Sequence, residues 1–219
     1  MKEVWMVFKA ILWDFGGVLT TSPFDSFNDF EREKKIPLDF IRGVNAVNHQ
    51  DNAWAQLESS LIDAEIFDEL FFAESHALGH AIRGAEVLSL IGRQTVRPRM
   101  VDVLRICKES FMNVCLTNNA RTGKGLAMSG SEDYAREVSD VIELFDEVIE
   151  SSKEGIRKPD RAIYSLACDR MQVDPREVVY LDDLGVNLKP ARDMGMSTIK
   201  VISEGQAISD LSAVLDIDF

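Results

Sequence analysis

The sequence predicts an α/β protein built on a doubly wound, mostly parallel β-sheet, and three observations predict it. Short apolar runs that break off at polar residues recur along the chain. From Pro98 onward these runs alternate with segments of helical texture. The first run, "KAILWDFGG", stops at an aspartate and two glycines, as a buried strand does where it meets a sharp turn. Repeated strand and helix units of this length place helices on both faces of a parallel sheet.

Taken in order, "MKEVWMVFKA" is briefly apolar, but it carries Glu3 and Lys9 and runs on to Asp14 with no small-residue cleavage site. It is therefore not read as a signal peptide. "AILW" is the first strand and delivers Asp14 to the edge of the sheet. From Ser22 to Arg97 apolar residues recur three and four apart with almost no alternation, which predicts helices. Within "LIDAEIFDELFFAESHALGH", Leu61, Ile66, Phe67, Leu70, Phe71 and Leu78 share a broad stripe that is expected to face a core. Pro98 suits the first turn of a helix that runs to about Glu109. "MNVCLT" and "EVIES" are strands, and "RTGKGLAMSGSED" between them is loop-like and expected to be mobile. Its "TGKG" lacks the spacing of a phosphate-binding loop. "DRAIYSLACDRM" is a helix after Pro159, and "DPREVVYLDD" opens as a helix or turn start and continues as an apolar strand ending in two acids. "NLKPARDMG" is a helix closed by Gly195, and "MSTIKVI" is the last strand. Residues 1–21 and 98–219 thus form one α/β core domain, and 22–97 form a helical domain inserted after its first strand.

A chain of 219 residues has room for one sizeable core, or for a core and a smaller insert. With 46% hydrophobic and 28% charged residues it reads as soluble and globular, and no run approaches the roughly 18 apolar residues of a membrane span. The net charge of -13, without clustered Lys and Arg, argues against a nucleic-acid partner, and with no membrane span no membrane partner is expected either. Small phosphorylated substrates stay open, because a metal ion locally inverts the sign of the field. Cys107, Cys115 and Cys168 are odd in number and lack metal-ligand spacing, so they read as reduced core cysteines of a cytoplasmic protein. The expected state is a monomer or homodimer.

In a doubly wound sheet ligands bind at the carboxyl ends of the strands. Four predicted strands end in polar residues: Asp14, then Thr117 with Asn118, then Ser151, then Asp182 with Asp183. Lys158 follows the third strand after a short loop. Two carboxylates at the end of a buried strand need neutralising, and a divalent cation on oxygen ligands is the usual means.

With these residues in place the sequence resembles the haloacid dehalogenase (HAD) superfamily of hydrolases. "WDFGGVLT", "CLTNN", "GIRKPDRAIY" and "VVYLDDLGVNLKPARDMGM" stand as its four motifs, in order. The last is similar to that of the N-terminal phosphatase domain of soluble epoxide hydrolases, and to the related domain fused to some acyl-CoA dehydrogenases. The resemblance implies a HAD-like Rossmannoid core with residues 22–97 as its helical cap. It implies a phosphatase that uses Mg2+ and acts on a small phosphorylated metabolite, a phosphate monoester, through an aspartyl-phosphate at Asp14. Asp14, the Gly16 carbonyl and Asp183 are the implied metal ligands, with Asp182 behind them. The Thr117 hydroxyl and the Asn118 N–H hold the phosphoryl oxygens, while Lys158 supplies fixed positive charge and orients Asp14.

The chain departs from that family at Gly16, where active phosphatases carry an aspartate that serves as general acid and base, a role worth about 10² to 10⁴ in rate. Three readings follow. One is a phosphatase restricted to leaving groups that need little protonation, or assisted by His49, His76 or His80 of the cap. Another is a metal-independent 2-haloacid dehalogenase, against which the pair Asp182 and Asp183 argues. The third is a catalytically impaired domain that binds a phosphorylated ligand or a protein. A side chain restored at Gly16 would distort the turn if that residue holds a positive φ.

Overall fold

The structure, a computed structural model, describes residues 8–121 and 131–219. The apolar N-terminal segment falls outside the described residues over 1–7. The loop expected to be mobile falls outside them over 122–130.

Five strands form one sheet: β1 (Ala10–Trp13), β2 (Met112–Thr117), β3 (Glu147–Glu150), β4 (Val178–Asp182) and β5 (Ser197–Lys200). All neighbours are parallel and the order is β3-β2-β1-β4-β5. The winding therefore reverses between β1 and β4, and such a reversal opens the crevice in which doubly wound folds bind ligands.

The strands read as unbroken apolar runs because both faces of the sheet are covered. Alternate side chains go to opposite sides. Ile11, Trp13, Cys115, Val179 and Leu181 pack with α6 (Pro98–Cys107), α7 (Glu132–Ile142) and α11 (Glu204–Leu215). Ala10, Leu12, Val114, Leu116 and Tyr180 pack with α9 (Arg161–Met171) and α10 (Gly185–Asp193) on the other face. Cys107, Cys115 and Cys168 are free and buried in these two layers, and burial pushes the thiols of Cys107 and Cys168 up to about 12 and about 11.

Between β1 and α6 the chain forms α1 (Pro23–Lys34), α2 (Phe40–Ala46), α3 (Ala53–Glu58), α4 (Ala64–Ala77) and α5 (Gly84–Ile91). These helices bury Phe27, Ile41, Phe67, Phe71, Val87 and Leu90 against one another, in a cluster that Ala120 joins from the sheet side. The fully buried Glu31 holds the entry to α2, accepting the N–H groups of Asp39 at 2.7 Å and Ile41 at 2.8 Å. No helix among the described residues is long and apolar enough to cross a membrane.

The structure corrects four local expectations. The broad stripe is narrow: Phe67 and Phe71 are buried, whereas Ile66, Leu70, Leu78 and especially Leu61 (74%) are exposed. Helix α4 meets its neighbours along one edge only, and Ser75 continues that edge by accepting the Ile82 N–H at 3.1 Å. Strand β3 stops at Glu150, because Ser151 opens the one-turn helix α8 (Ser151–Glu154). Helix α10 begins two residues early, at Gly185, where the Asp182 carboxylate accepts the Leu184 N–H at 2.7 Å. Helices α7 and α11 had no counterpart in the sequence reading.

Close packing within the insert makes one glycine indispensable. A Cβ on Gly84 would lie 2.8 Å from the Asp68 Cα and 2.8 Å from the Phe67 ring, which in turn packs edge-on against Trp54 at 5.5 Å. Gly84→Ala is expected to lower stability by about 1–3 kcal/mol through overpacking. Gly43→Ala, in open space on α2, should instead raise it by up to about 1 kcal/mol. Thermal denaturation of both variants checks the contrast.

Candidate active site

Asp14 directly follows strand β1, and its N–H still donates to the Leu181 carbonyl of β4 at 2.9 Å. The chain then turns back at once: the Leu19 N–H reaches the Phe15 carbonyl at 2.9 Å. Of the glycine pair in this turn, Gly17 carries the conformational demand, with φ +75°. A Cβ there would stand 2.2 Å from the Asp183 Oδ2, so only glycine lets the turn and β4 approach so closely. Gly16 is not at positive φ, and beyond its chain neighbours a Cβ on it would meet, among the described residues, just the Gln94 Nε2, at 3.6 Å. The concern that a side chain at Gly16 would distort the turn therefore falls away.

Lys158 lies between the ends of β1 and β4, 1% exposed, with its Nζ 2.8 Å from the Asp14 Oδ1 and 2.8 Å from the Asp182 Oδ2. Burial works to lower its pKa, but the two carboxylates outweigh burial and hold it well above the usual lysine range, so the ammonium form is kept. Burial raises the Asp14 carboxyl well above the carboxylate range. Lys158 opposes that rise, while Asp182 and Asp183 add to it. The Asp183 carboxyl, half-buried, is raised to about 6 by burial and by Asp182, against the pull of Lys158 and of the Ser22 hydroxyl that donates to it at 3.3 Å.

Asp182 has a different part from its neighbour. It is fully buried, and its oxygens accept from Lys158, the Tyr180 hydroxyl, the Leu184 N–H and the Asn187 amide. With its lone pairs so engaged it anchors the ammonium, whereas Asp183 faces the cavity. Asp14, Asp182 and Asp183 each offer an oxygen within 4.8 Å of the others. Three carboxyl groups crowd around one ammonium in a half-dry site, and the upward shifts of Asp14 and Asp183 reflect that crowding; an oxygen-rich set of this kind fits a divalent cation, whose charge would favour the ionised carboxylates.

The other strand ends converge unevenly. Thr117 and Asn118 line a cavity of about 500 Å³ together with Asp14, Gly16, Lys158 and Asp183. The Asn118 side chain brackets the lysine: its Oδ1 accepts the Lys158 N–H at 2.9 Å and its Nδ2 donates to the Lys158 carbonyl at 3.0 Å. Ser151 is not among the lining residues. It is fully buried, its hydroxyl donating to the Glu58 carbonyl at 2.8 Å and accepting the Asn119 N–H at 3.0 Å.

Phe24, Phe27, Trp54, Leu88 and Ile91 of the insert wall the cavity. His49 also lines it, whereas His76 stacks on Phe72 and His80 meets the edge of Phe40, both outside it. Among the polar lining residues that the sequence alone does not single out are Glu58, Arg157 and Gln94. Glu58 of α3 pairs with Arg157 at 2.7 Å and accepts from the Asn118 amide at 3.3 Å, so the insert grips both neighbours of Lys158. Arg157, adjacent to Lys158 in "GIRKPD", offered the one sequence cue among them.

Residues 8–195 match the model of a family of hydrolases described as haloacid dehalogenase-like hydrolase. The bifunctional epoxide hydrolase 2 of Mus musculus is 30% identical over 225 residues, which cover 98% of this chain and 40% of that protein. The chain thus spans less than half the length of that relative. A sesquiterpene phosphatase of Aspergillus oryzae is 28% identical over 197 residues, 86% of this chain and 87% of the fungal one. Among solved structures, a HAD family enzyme of Bacteroides thetaiotaomicron in complex with magnesium and inorganic phosphate shares the fold. Its TM-score is 0.60 at 19% identity, over 90% of this chain and 96% of that one. The family match over most of the chain, joined to a sheet whose winding reverses at Asp14, makes the conclusion plain: this chain belongs to the haloacid dehalogenase-like hydrolases.

Proposed function

We propose that the protein is a magnesium-dependent phosphatase that cleaves phosphate monoesters through Asp14. The observation that carries this reading is Asp14 in the cavity beside a buried, fully charged Lys158, with Asp183 in reach on the other side. The Asp14 Oδ1 is engaged by Lys158 and by the Phe15 N–H at 2.7 Å, while its Oδ2 has no hydrogen bond among the described residues. That oxygen attacks phosphorus, a new P–O bond forms as the ester P–O bond breaks, and an aspartyl-phosphate results. Water then attacks the same phosphorus, releasing inorganic phosphate and restoring the carboxylate. Thr117, the Asn118 N–H and Lys158 hold the phosphoryl oxygens where negative charge gathers.

Asp14, the Gly16 carbonyl and Asp183 would hold the magnesium ion. When bound, it supplies the positive charge that lets an anionic phosphate approach an anionic carboxylate. Residues 22–97 act as a cap over this site, and their apolar wall suits an ester whose alcohol is apolar, in line with the fungal relative's name. Three reduced, buried cysteines fit a cytoplasmic setting. Gly16 favours one competing reading, a domain that binds a phosphorylated ligand without turning it over, and the experiments below separate the two.

Asp14→Asn keeps the shape and removes the nucleophilic charge, so phosphate release from aryl phosphates should fall to background. Beryllium fluoride should protect the parent protein from thermal unfolding and leave the variant unprotected. Undiminished turnover in Asp14→Asn would place the chemistry elsewhere.

Calorimetric titration should show magnesium binding to the parent at least about tenfold more tightly than to Asp183→Asn, as expected when one anionic ligand is lost. Equal affinities would remove Asp183 from the metal site.

With no carboxylate at Gly16, the parent should cleave a nitrophenyl phosphate far faster than an alkyl phosphate. Gly16→Asp, whose Cβ the turn has room for, should raise the alkyl rate by up to about 10² with little gain on the aryl ester. Comparable parental rates on both esters, unchanged by the substitution, would contradict this account of Gly16. Turnover of neither ester would favour the binding-domain reading.

A further inference from the structure

The two connections between the sheet and the insert run side by side. Thr20 and Val96 form an antiparallel bridge, and the Thr21 N–H donates to the Thr95 carbonyl at 2.8 Å. Gln94 stands on the return connection, and its Nε2 crosses to the Thr21 carbonyl at 2.9 Å. The side chain is thereby fixed to the paired connections at the root of the insert. It is buried, yet it lines the cavity with Asp14 and Gly16.

Its position relative to Gly16 is specific. Apart from the chain neighbours of Gly16, the Gln94 Nε2 is the one heavy atom among the described residues within 4 Å of the place where a Gly16 Cβ would stand. A carboxamide nitrogen carries two N–H donors, and one of them is engaged by Thr21. No other side-chain hydrogen bond of Gln94 occurs among the described residues, so the second N–H remains for a ligand in the cavity.

We propose that Gln94 is a catalytic residue that donates this N–H to the ester oxygen of the substrate, filling the place of a side chain at position 16. The inference rests on the phosphatase reading. As the bond from Asp14 to phosphorus forms and the ester P–O bond breaks, the electron pair of the broken bond stays on the departing oxygen. Gln94 steadies that oxygen with a hydrogen bond, keeps its own proton, and leaves water to protonate the alcohol. A donor of this kind matters more as the leaving oxygen becomes more basic.

The test is a series of phosphate monoesters graded from nitrophenyl to alkyl. The parent, Gln94→Met and Gln94→Asn are assayed, each with Gly16 and with Gly16→Asp, alongside melting temperatures. Gln94→Met should lose about tenfold in kcat/KM on the alkyl ester, the rate equivalent of one hydrogen bond, and less than about twofold on the nitrophenyl ester. The dependence of rate on leaving-group basicity should steepen accordingly. Gln94→Asn withdraws the amide by one methylene while remaining polar, and should show the same selective loss even if the methionine variant folds poorly. With Gly16→Asp the loss on removing Gln94 should shrink, because both groups then serve one oxygen. Equal loss across the series, or strict additivity with Gly16→Asp, in a parent that works through Asp14 would overturn the role of Gln94 alone. No turnover by the parent, or full turnover by Asp14→Asn, would overturn the phosphatase reading and Gln94 with it.

Discussion

The rest of the structure is arranged around one buried cation. Lys158 has almost no contact with water and is held by carboxylates at the ends of two adjacent strands. Taking an ammonium out of water is costly, and removing one partner of such a set typically costs about 3–5 kcal/mol. That cost is met only if β1 and β4 end at the same level, which parallel register with Trp13 beside Leu181 ensures. It also requires the loop before Pro159 to bring Lys158 up to the strand ends, which the Asn118 amide does by bonding both of its backbone polar groups. The same cluster leaves an excess of carboxyl groups on its open side, where Asp183 and the cavity lie.

The insert lines the cavity and is also tied into this arrangement. Glu58 receives Arg157, which precedes the lysine in sequence, and Asn118, which bonds its backbone, and the Ser151 and Ser60 hydroxyls bond across the same seam. The carboxylate of Glu58 is itself almost buried and is satisfied on both oxygens, the other by the Trp54 indole N–H at 2.8 Å. A polar network of this kind is favourable only while complete. Displacing α3 would leave Arg157 and Asn118 short of partners at the edge of the site.

Much of this was legible in the sequence, for a physical reason. Parallel strands buried on both faces must be apolar throughout, so Asp14, Asp182 and Asp183 stood out as the points where such runs broke. Lys158 and Asn118 were found by their place after strands. What stayed hidden depends on contacts distant in sequence. Glu58 meets Arg157 across 99 positions, and Gln94 meets Thr21 across 73. Helical spacing overstated the buried face of α4, because periodicity reports which residues share a side and not how much of that side a neighbour covers. Nor does a glycine pair disclose which member is conformationally required.

That last distinction bears on how such a protein can change over generations. Gly17 is locked, by its backbone angle and by the carboxylate pressed against it, whereas Gly16 has room for a side chain. One base change turns a GGT or GGC glycine codon into an aspartate codon. At Gly16 the backbone therefore leaves room for a lineage to gain or lose a side chain beside Asp14, while at Gly17 the same mutation meets a barrier that selection on folding alone would enforce.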